Sequence, residues 1–205
     1  MASALPGMLP SVVLASRSPR RIALLTELLN RSNQTFVVDP ADIDETPLLG
    51  ESVDAYVQRL ALDKATAVAQ RYAEDVIVIG ADTTVDVDGK IFGQPADLVE
   101  AAAMLRQLSG RTHRVVTAIA LIRGERQRHG FDAARVTMKP LTDELLAWYL
   151  STEESLGKAG AYAVQGHGAA LVEGVAGRLS TVVGLPMGLL RALGAELGAG
   201  WKIGR

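Results

Sequence analysis

The sequence predicts a mixed α/β fold, in which one β-sheet combines parallel and antiparallel strands and is flanked by helices. Two observations carry this prediction. A short apolar run at 12–15 is followed closely by a helix start, which is typical of a parallel strand–helix unit. Two long strand-like segments, 112–123 and 127–139, flank Gly124-Glu125, which is typical of an antiparallel hairpin.

The first helix start is also the first candidate for function. Ser18-Pro19 provides an N-cap and a proline at the first helical position. Arg20 and Arg21 then fall in the first turn, where cations oppose the helix dipole. A bound polyanion would resolve that conflict, because helix N-termini bind anions and arginine suits phosphate. The alternative is a capped helix with two solvated arginines.

Cap residues and apolar periodicity place the other elements. Ser52, Asp97 and Thr142 are expected to cap helices, with Glu100 completing a capping box, and Asp88-Gly89 indicates a turn. In chain order we expect a strand at 34–39, a helix at 52–74, a strand at 76–80, a helix at 97–108, the hairpin, a helix after 142, a loop and strand within 157–177, and a helix at 186–197.

Composition limits the classes of protein. The 205 residues are 48% hydrophobic and 21% charged, which is ordinary for a globular chain, and a net charge of −2 argues against general nucleic-acid binding. The absence of cysteine excludes a disulfide framework. No apolar run predicts a membrane span, and residues 1–10 lack signal-peptide character, so we expect a cytoplasmic protein with a flexible segment at 1–8.

Asp82 and Lys64 are candidate catalytic residues. Asp82 follows the apolar run 76–80, so we expect it just past a strand end, at the carboxyl edge of the sheet. There it could hold Mg²⁺ or activate water; the alternative is a turn aspartate. Lys64 lies beside the apolar stripe of its helix, and taken alone this position favours a surface lysine whose stem packs against that stripe.

Two further stretches could bind a ligand. The acidic residues Asp42, Asp44 and Glu45 could complete a hard-cation site with Asp82, or they could form a solvated loop. The small residues in 158–166 would let a ligand approach the backbone, although a plain glycine-rich connection is the alternative. The three histidines have no regular spacing, which argues against zinc, and a lone His113 in a strand is most simply structural.

Taken together, these stretches resemble the Maf family of nucleoside triphosphate pyrophosphatases, also described as septum-formation inhibitor proteins. The matching motifs occur in the family's order from about Leu9 to Leu193: Ser16-Arg17-Ser18-Pro19-Arg20-Arg21, Ala81-Asp82-Thr83, Ser109-Gly110-Arg111-Thr112-His113, Thr117-Ala118, Lys158-Ala159-Gly160-Ala161-Tyr162 through Gln165-Gly166, and Val183-Gly184-Leu185-Pro186.

The resemblance implies a fold and an activity. The fold would be ITPase-like (Maf-like), with an elongated mixed sheet and two lobes around a central cleft in a single domain spanning 1–205. The activity would be hydrolysis of a nucleoside triphosphate to the monophosphate and pyrophosphate with Mg²⁺ or Mn²⁺. The protein would be a homodimer that does not bind nucleic acid or membranes, with a house-cleaning or cell-division-linked role.

The resemblance also implies roles for individual residues. Asp82 matches the family's catalytic proton acceptor and would bind the metal together with Asp44 or Glu45. The other matching positions are those that shape substrate choice, Arg20, Thr83 and Gln165, and those that line the phosphate and catalytic cleft, Ser16, Arg21, Lys64 and Lys158.

The motifs resemble the family branch that acts on dTTP and UTP, with modified pyrimidine nucleotides as further candidates. An amide at Gln165 suits the edge of thymine or uracil, and we expect it to be buried. Gln94 replaces the lysine usual in this branch and is assigned to the substrate site. Two alternatives remain open: a nucleotide-binding regulator of septum formation without turnover, and a pyrophosphatase preferring another base, such as that of 7-methyl-GTP.

Overall fold

The computed structural model describes residues 11–201, so the flexible segment expected at 1–8 lies outside the described residues. Within this range the strands are β1 (Val12–Leu14), β2 (Val37–Val38), β3 (Ile77–Val87), β4 (Lys90–Phe92), β5 (Thr112–Arg123), β6 (Arg126–Met138) and β7 (Val172–Ala176). They form one sheet in the order β2-β1-β3-β5-β6-β7, and β4 pairs with β3. β1 is parallel to β2 and β3, whereas the other pairs are antiparallel. The predicted mixed sheet is confirmed.

Helices flank this sheet. They are α1 (Pro19–Asn30), α2 (Val53–Ala69), α3 (Leu98–Leu108), α4 (Asp143–Ser151), α5 (Leu179–Val183) and α6 (Met187–Glu196), with 3₁₀ turns at Ala159–Ala161 and Gly166–Leu171. Ser18, Ser52, Asp97 and Thr142 each accept an N–H at the helix start, as predicted. Helix α5 was not predicted, because five residues are too few for a periodic pattern. No helix within residues 11–201 is long and apolar enough to cross a membrane.

The expected end of the third strand is wrong. The apolar run stops near Gly80, but β3 continues to Val87, so Asp82 lies inside a strand and not beyond its end. The reason is the antiparallel ladder with β5, which pairs β3 from Val78 to Asp86 whatever the polarity of the side chains. β1 stops at Leu14, and Asp82 therefore lies beyond the end of this parallel neighbour. Two other elements are shorter than predicted: β2 has two residues, and α2 ends at Ala69.

One face of the sheet carries two separate apolar clusters. Toward one end, Ile79 and Leu121 pack with α1 and α6. Toward the other end, Val85 and Val115 pack with α3 and α4. The cross-strand pair of Thr83 and Thr117 lies between them and belongs to neither cluster. This polar strip leaves a gap between the clusters, and the gap is the floor of a cleft.

The opposite face is covered by α2, which approaches β3 very closely. A Cβ placed on Gly80 would lie 2.1 Å from the Ala61 carbonyl oxygen and 2.7 Å from the Ala65 nitrogen. Glycine therefore permits contact between the backbones of strand and helix. Lys64, which immediately precedes Ala65, is held above the part of β3 that contains Asp82.

His113 connects the sheet to the segment that follows α4. Its Nε2 lies 2.6 Å from the Tyr162 hydroxyl, and both residues are buried. Its Nδ1 has no hydrogen-bond partner among the described residues. Burial, with a smaller contribution from the charge of Arg111, lowers the pKa of His113 to about 4. His113 is therefore neutral near pH 7 and acts as a structural residue.

This burial predicts a specific pH dependence of stability. The pKa of about 4 lies below the ordinary 6.5, so protonation of His113 favours the unfolded chain. The stability associated with neutral His113 is complete above pH 6.5 and is lost as the pH falls toward 4, by about 3 kcal/mol in total. Urea unfolding between pH 7 and pH 4 should show that the free energy of unfolding falls more steeply with decreasing pH for the wild type than for His113→Gln. The exposed His129→Gln variant should keep the wild-type slope, and equal slopes for His113→Gln and wild type would contradict the assignment.

Candidate active site

A cavity of about 1000 Å³ lies beyond the end of β1 and is lined from both faces of the sheet, by Thr83 of the polar strip on one face and by Asp82 with Lys64 of α2 on the other. Its walls come from the first turn of α1, the loop before α2, the middle of β3, the loop after β4 and the segment before the second 3₁₀ turn. Of the site residues predicted from sequence, the structure brings the following to this cavity: Ser16, Arg20, Arg21, Asp42, Glu45, Lys64, Asp82, Thr83, Gln94, Lys158 and Gln165.

A buried lysine lies between two carboxylates at the base of the cavity. Lys64 Nζ is 2.6 Å from Asp82 Oδ1 and 2.8 Å from Glu45 Oε1. Lys64 is 8% exposed and Asp82 is 6% exposed, whereas the Glu45 side chain is half-exposed. The alternatives of a surface lysine and a turn aspartate are therefore wrong.

The electrostatic environment of Asp82 favours proton uptake. Burial raises the pKa of Asp82, while the positive charges of Lys64 and Arg21 act in the opposite direction. A carboxylate whose pKa exceeds its usual range is a better general base near neutral pH. Asp82 can therefore accept a proton from a molecule in the cavity while Lys64 holds its other oxygen in place.

Arg21 organises the cavity wall through three hydrogen bonds. Its Nε donates to Gly184 O at 2.9 Å, and its terminal nitrogens donate to Ser16 Oγ at 3.2 Å and Thr83 Oγ1 at 3.0 Å. These bonds join the α1 start, β3 and the α5–α6 connection. Arg21 is therefore a positioning residue, although two of its five N–H donors remain for a ligand.

Arg20 and Lys158 form a cationic region that is open to anions. The Arg20 guanidinium makes no hydrogen bond or ion pair with any of residues 11–201. Burial lowers the pKa of Lys158, and the charge of Arg20 adds to this effect. Lys158 Nζ donates to the Glu154 carbonyl oxygen, which leaves ammonium hydrogens free. Two cations close together with spare donors are suited to bind phosphate.

The structure also assigns local roles to residues that the sequence analysis missed. The Tyr56 hydroxyl donates to Glu45 O at 3.0 Å, and burial raises the Tyr56 pKa to about 12, so it remains a donor. Tyr56 lies in the stripe that sequence periodicity assigns to the core. The Glu154 carboxylate accepts the His167 N–H at 2.8 Å and fixes the turn that follows Gln165. No sequence pattern distinguishes Glu154 from a surface residue.

Gln165 and Gln94 differ from the other lining residues. Both are exposed, and neither side chain makes a hydrogen bond to any part of the chain from 11 to 201. The expectation of a buried Gln165 amide is therefore wrong. The side chain follows a glycine-rich turn at the rim of the cavity, where its donor and acceptor are both available to a ligand.

The carboxylates near Lys64 could supply some, but not all, of the oxygen ligands that Mg²⁺ requires. Glu45 and Asp82 line the cavity together, whereas Asp44 does not line it and accepts the Thr46 N–H at 2.9 Å. No group of three His, Cys, Asp or Glu residues within 11–201 could hold a metal by itself. Mg²⁺ commonly takes one or two protein carboxylates and completes its shell with water and substrate phosphates. Glu45 and Asp82 fit that arrangement if a triphosphate supplies the remaining oxygens.

Removal of the Lys64 charge should lower the free energy of unfolding, because the buried Asp82 carboxylate then has no ion-pair partner. Lys64→Met leaves Asp82 buried without its ion-pair partner, and we expect a loss of about 3 kcal/mol in unfolding free energy at pH 7. Urea unfolding of Lys64→Met/Asp82→Asn should recover most of that loss, because the uncompensated charge is gone. Lys90→Met, at an exposed position on β4, serves as the control and should change stability by less than ~0.5 kcal/mol. Equal stability of Lys64→Met and wild type would contradict the buried ion pair.

Comparison with known proteins assigns the family. The model of the family described as Maf-like protein matches residues 11–197. The dTTP/UTP pyrophosphatase of Myxococcus xanthus strain DK1622 is 50% identical over 182 residues, covering 89% of this chain and 90% of that protein. The protein of the same name from Symbiobacterium thermophilum is 46% identical over 176 residues, covering 86% and 88%.

A solved structure is also similar, at a lower level. The nucleoside-triphosphatase / dITP/XTP pyrophosphatase of Mycobacterium abscessus is 18% identical, with a TM-score of 0.45 over 92% of this chain and 96% of that one. This likeness is too weak to support an assignment by itself. The family model covers the polar strip and every residue that lines the cavity. The chain therefore belongs to the Maf-like protein family.

Proposed function

We propose that this protein hydrolyses nucleoside triphosphates to the monophosphate and pyrophosphate, with dTTP and UTP as preferred substrates. One observation carries the proposal: the same cavity holds a buried lysine–carboxylate cluster and, separately, two cations with unused donors. A polyphosphate needs both features, because its charge must be neutralised and a water molecule must be activated. The relatives named dTTP/UTP pyrophosphatase support the reaction and the pyrimidine preference.

The cationic residues would bind the phosphates. Arg20 and Lys158 lie where they can donate to phosphate oxygens without breaking an ion pair. The N-terminus of α1 adds backbone N–H groups and the positive end of its dipole. Binding here positions the triphosphate, and positioning accounts for much of the catalysis of phosphoryl transfer.

The carboxylate cluster would carry the chemical step. Asp82 takes a proton from water as the water oxygen forms a bond to phosphorus. The bridging P–O bond breaks, and its electron pair leaves on the pyrophosphate or the monophosphate oxygen. Lys64 keeps the Asp82 carboxylate oriented and limits its pKa. Mg²⁺ or Mn²⁺, held by Glu45 and Asp82, would neutralise charge on the phosphates when bound.

Further parts of the proposal concern the whole protein. We include a cytoplasmic location, which rests on the sequence features described above, and a homodimer and a house-cleaning or cell-division-linked role, which rest on the family resemblance. The small net charge of −2 supports action on free nucleotides over binding of nucleic acid.

Pyrophosphate release is the direct test. The purified protein should release pyrophosphate from dTTP and UTP faster than from CTP, GTP or 7-methyl-GTP, and chelation of divalent metal should abolish the reaction. A purine preference would support the alternative substrate. Nucleotide binding without release from any triphosphate would support the non-catalytic regulator.

Asp82→Asn should abolish turnover without unfolding the protein. The amide has nearly the same shape, so Lys64 can still donate to its oxygen, but it cannot accept a proton or provide charge. We expect a loss of at least ~3 kcal/mol in transition-state stabilisation, measured as kcat/KM on dTTP. Asp63→Asn, an exposed residue on α2, is the matched control and should keep wild-type kcat/KM. A near wild-type rate for Asp82→Asn would refute its assignment.

Gln94→Lys tests the departure from the family pattern. Gln94 lines the cavity from the loop after β4, is exposed and has a neutral side chain. A lysine there would add phosphate-directed charge, so kcat/KM for dTTP and UTP should rise together while their ratio to CTP stays constant. Gln107→Lys adds the same charge on α3, away from the cavity lining, and should change neither quantity. A change in the preferred base would instead place Gln94 in the base-binding part of the cavity.

A further inference from the structure

Two threonine hydroxyls connect the cavity to the protein interior. Thr83 Oγ1 and Thr117 Oγ1 are 2.9 Å apart across β3 and β5. Thr83 lines the cavity, whereas Thr117 is fully buried and does not line it. On the inner side, Thr117 Oγ1 lies 2.7 Å from the Thr181 carbonyl oxygen. On the outer side, Arg21 donates to Thr83 Oγ1 at 3.0 Å.

The contact between Thr117 and Thr181 sets the direction of the whole series of hydrogen bonds. Thr181 is fully buried in the short helix α5. The N–H groups of Gly184 and Leu185 both donate to Ser180 O, and Pro186 has no N–H. The helix therefore supplies no donor to the Thr181 carbonyl, and Thr117 satisfies it. A buried carbonyl without a partner is unfavourable, so the Thr117 hydrogen is committed to Thr181.

The directions of the other hydrogen bonds in this series follow from the number of hydrogens that each group carries. A hydroxyl has one hydrogen and two lone pairs, and a guanidinium has donors alone. Since the Thr117 hydrogen is used, the contact between the two hydroxyls requires Thr83 to donate. Thr83 then has no hydrogen left, and Arg21 occupies one of its lone pairs. One lone pair on Thr83 Oγ1 is available to the cavity.

We propose that Thr117 is a positioning residue that makes Thr83 a hydrogen-bond acceptor toward the cavity and thereby selects ligands with a donor at that point. The inference rests on the proposed function and specifies how its substrate is recognised. The required donor can come from two parts of a nucleotide: the imide N3–H of uracil or thymine, or a sugar hydroxyl. Cytosine has no hydrogen on N3, so two acceptors would face each other, which is unfavourable.

Thr117→Val is the informative variant. Valine has nearly the same shape but cannot accept, so the Thr83 hydrogen is released and can turn toward the cavity. A ligand that lacks the donor should then be tolerated. Thr117→Ser keeps the hydroxyl and should behave as the wild type does. The matched control is Thr112→Val, which breaks a different cross-strand threonine pair on β5, with Thr137, at positions that do not line the cavity.

The experiment measures dissociation constants and kcat/KM for UTP, CTP and 3′-deoxy-UTP with each protein. In the wild type, UTP should be preferred over one of the two analogues by roughly tenfold. A preference over CTP assigns the donor to the base, and a preference over 3′-deoxy-UTP assigns it to the sugar. Thr117→Val should reduce that preference to about twofold or less, whereas Thr117→Ser and Thr112→Val should retain it. A purely structural defect would lower kcat/KM for all three substrates by the same factor and leave their ratios unchanged.

Two results would overturn the inference. One is equal affinity of the wild type for UTP and for both analogues. This measurement does not depend on whether any variant folds. The other is an unchanged ratio in Thr117→Val, or in Thr117→Ala if the valine variant does not fold. Failure of the proposed function has a different signature, because the dissociation constants would still show the ratios while no pyrophosphate is released.

Discussion

The candidate site depends on one buried ammonium group that two carboxylates share. Lys64 comes from α2, Asp82 from the middle of β3, and Glu45 from the loop before α2. A buried cation is stable only with such partners, so this contact fixes a helix, a strand and a loop relative to one another. It also leaves Asp82 in a buried position, where burial raises its pKa against the effect of the nearby cations. The same constraint thus gives structure to the cavity and basicity to its carboxylate.

The second arginine of the α1 start has a role that differs from that of the first. Arg21 uses its planar group to join the α1 start, Thr83 and the chain at Gly184, whereas Arg20 makes no hydrogen bond or ion pair in the described chain. The rigid fork of arginine suits the first task, and its permanent charge suits the second. Two adjacent residues of the same type therefore divide positioning and anion binding between them.

Much of this arrangement could be predicted from the sequence. Cap residues located the starts of four helices, because a capped N-terminus is a local property of a few residues. The ends of elements are less predictable, because the change from apolar to polar residues after Gly80 predicts a strand end there, whereas β3 continues to Val87. Pairing with β5 extends that strand, and pairing between distant segments is not visible in a local pattern.

Long-range contacts explain the other differences as well. The exposure of Gln165 and the outward position of Asp44 depend on how loops fold over the cavity, and residue type does not determine either. Tyr56 belongs to the core stripe by spacing, yet its hydroxyl reaches the loop at Glu45. Glu154 is one of two consecutive glutamates, and its capping of the turn at His167 appears only in three dimensions.

The close approach of α2 to β3 at Gly80 has a consequence for the substitutions that the site tolerates. The spacing between helix and strand is set there by backbone against backbone, without an intervening side chain. The separation of Lys64 and Asp82 therefore depends little on the sizes of the apolar residues that fill the clusters elsewhere. Those residues can drift among leucine, isoleucine and valine while the charged groups stay in register. Exchanges of this kind in the clusters should therefore leave the Lys64 ammonium within hydrogen-bond distance of the Asp82 carboxylate.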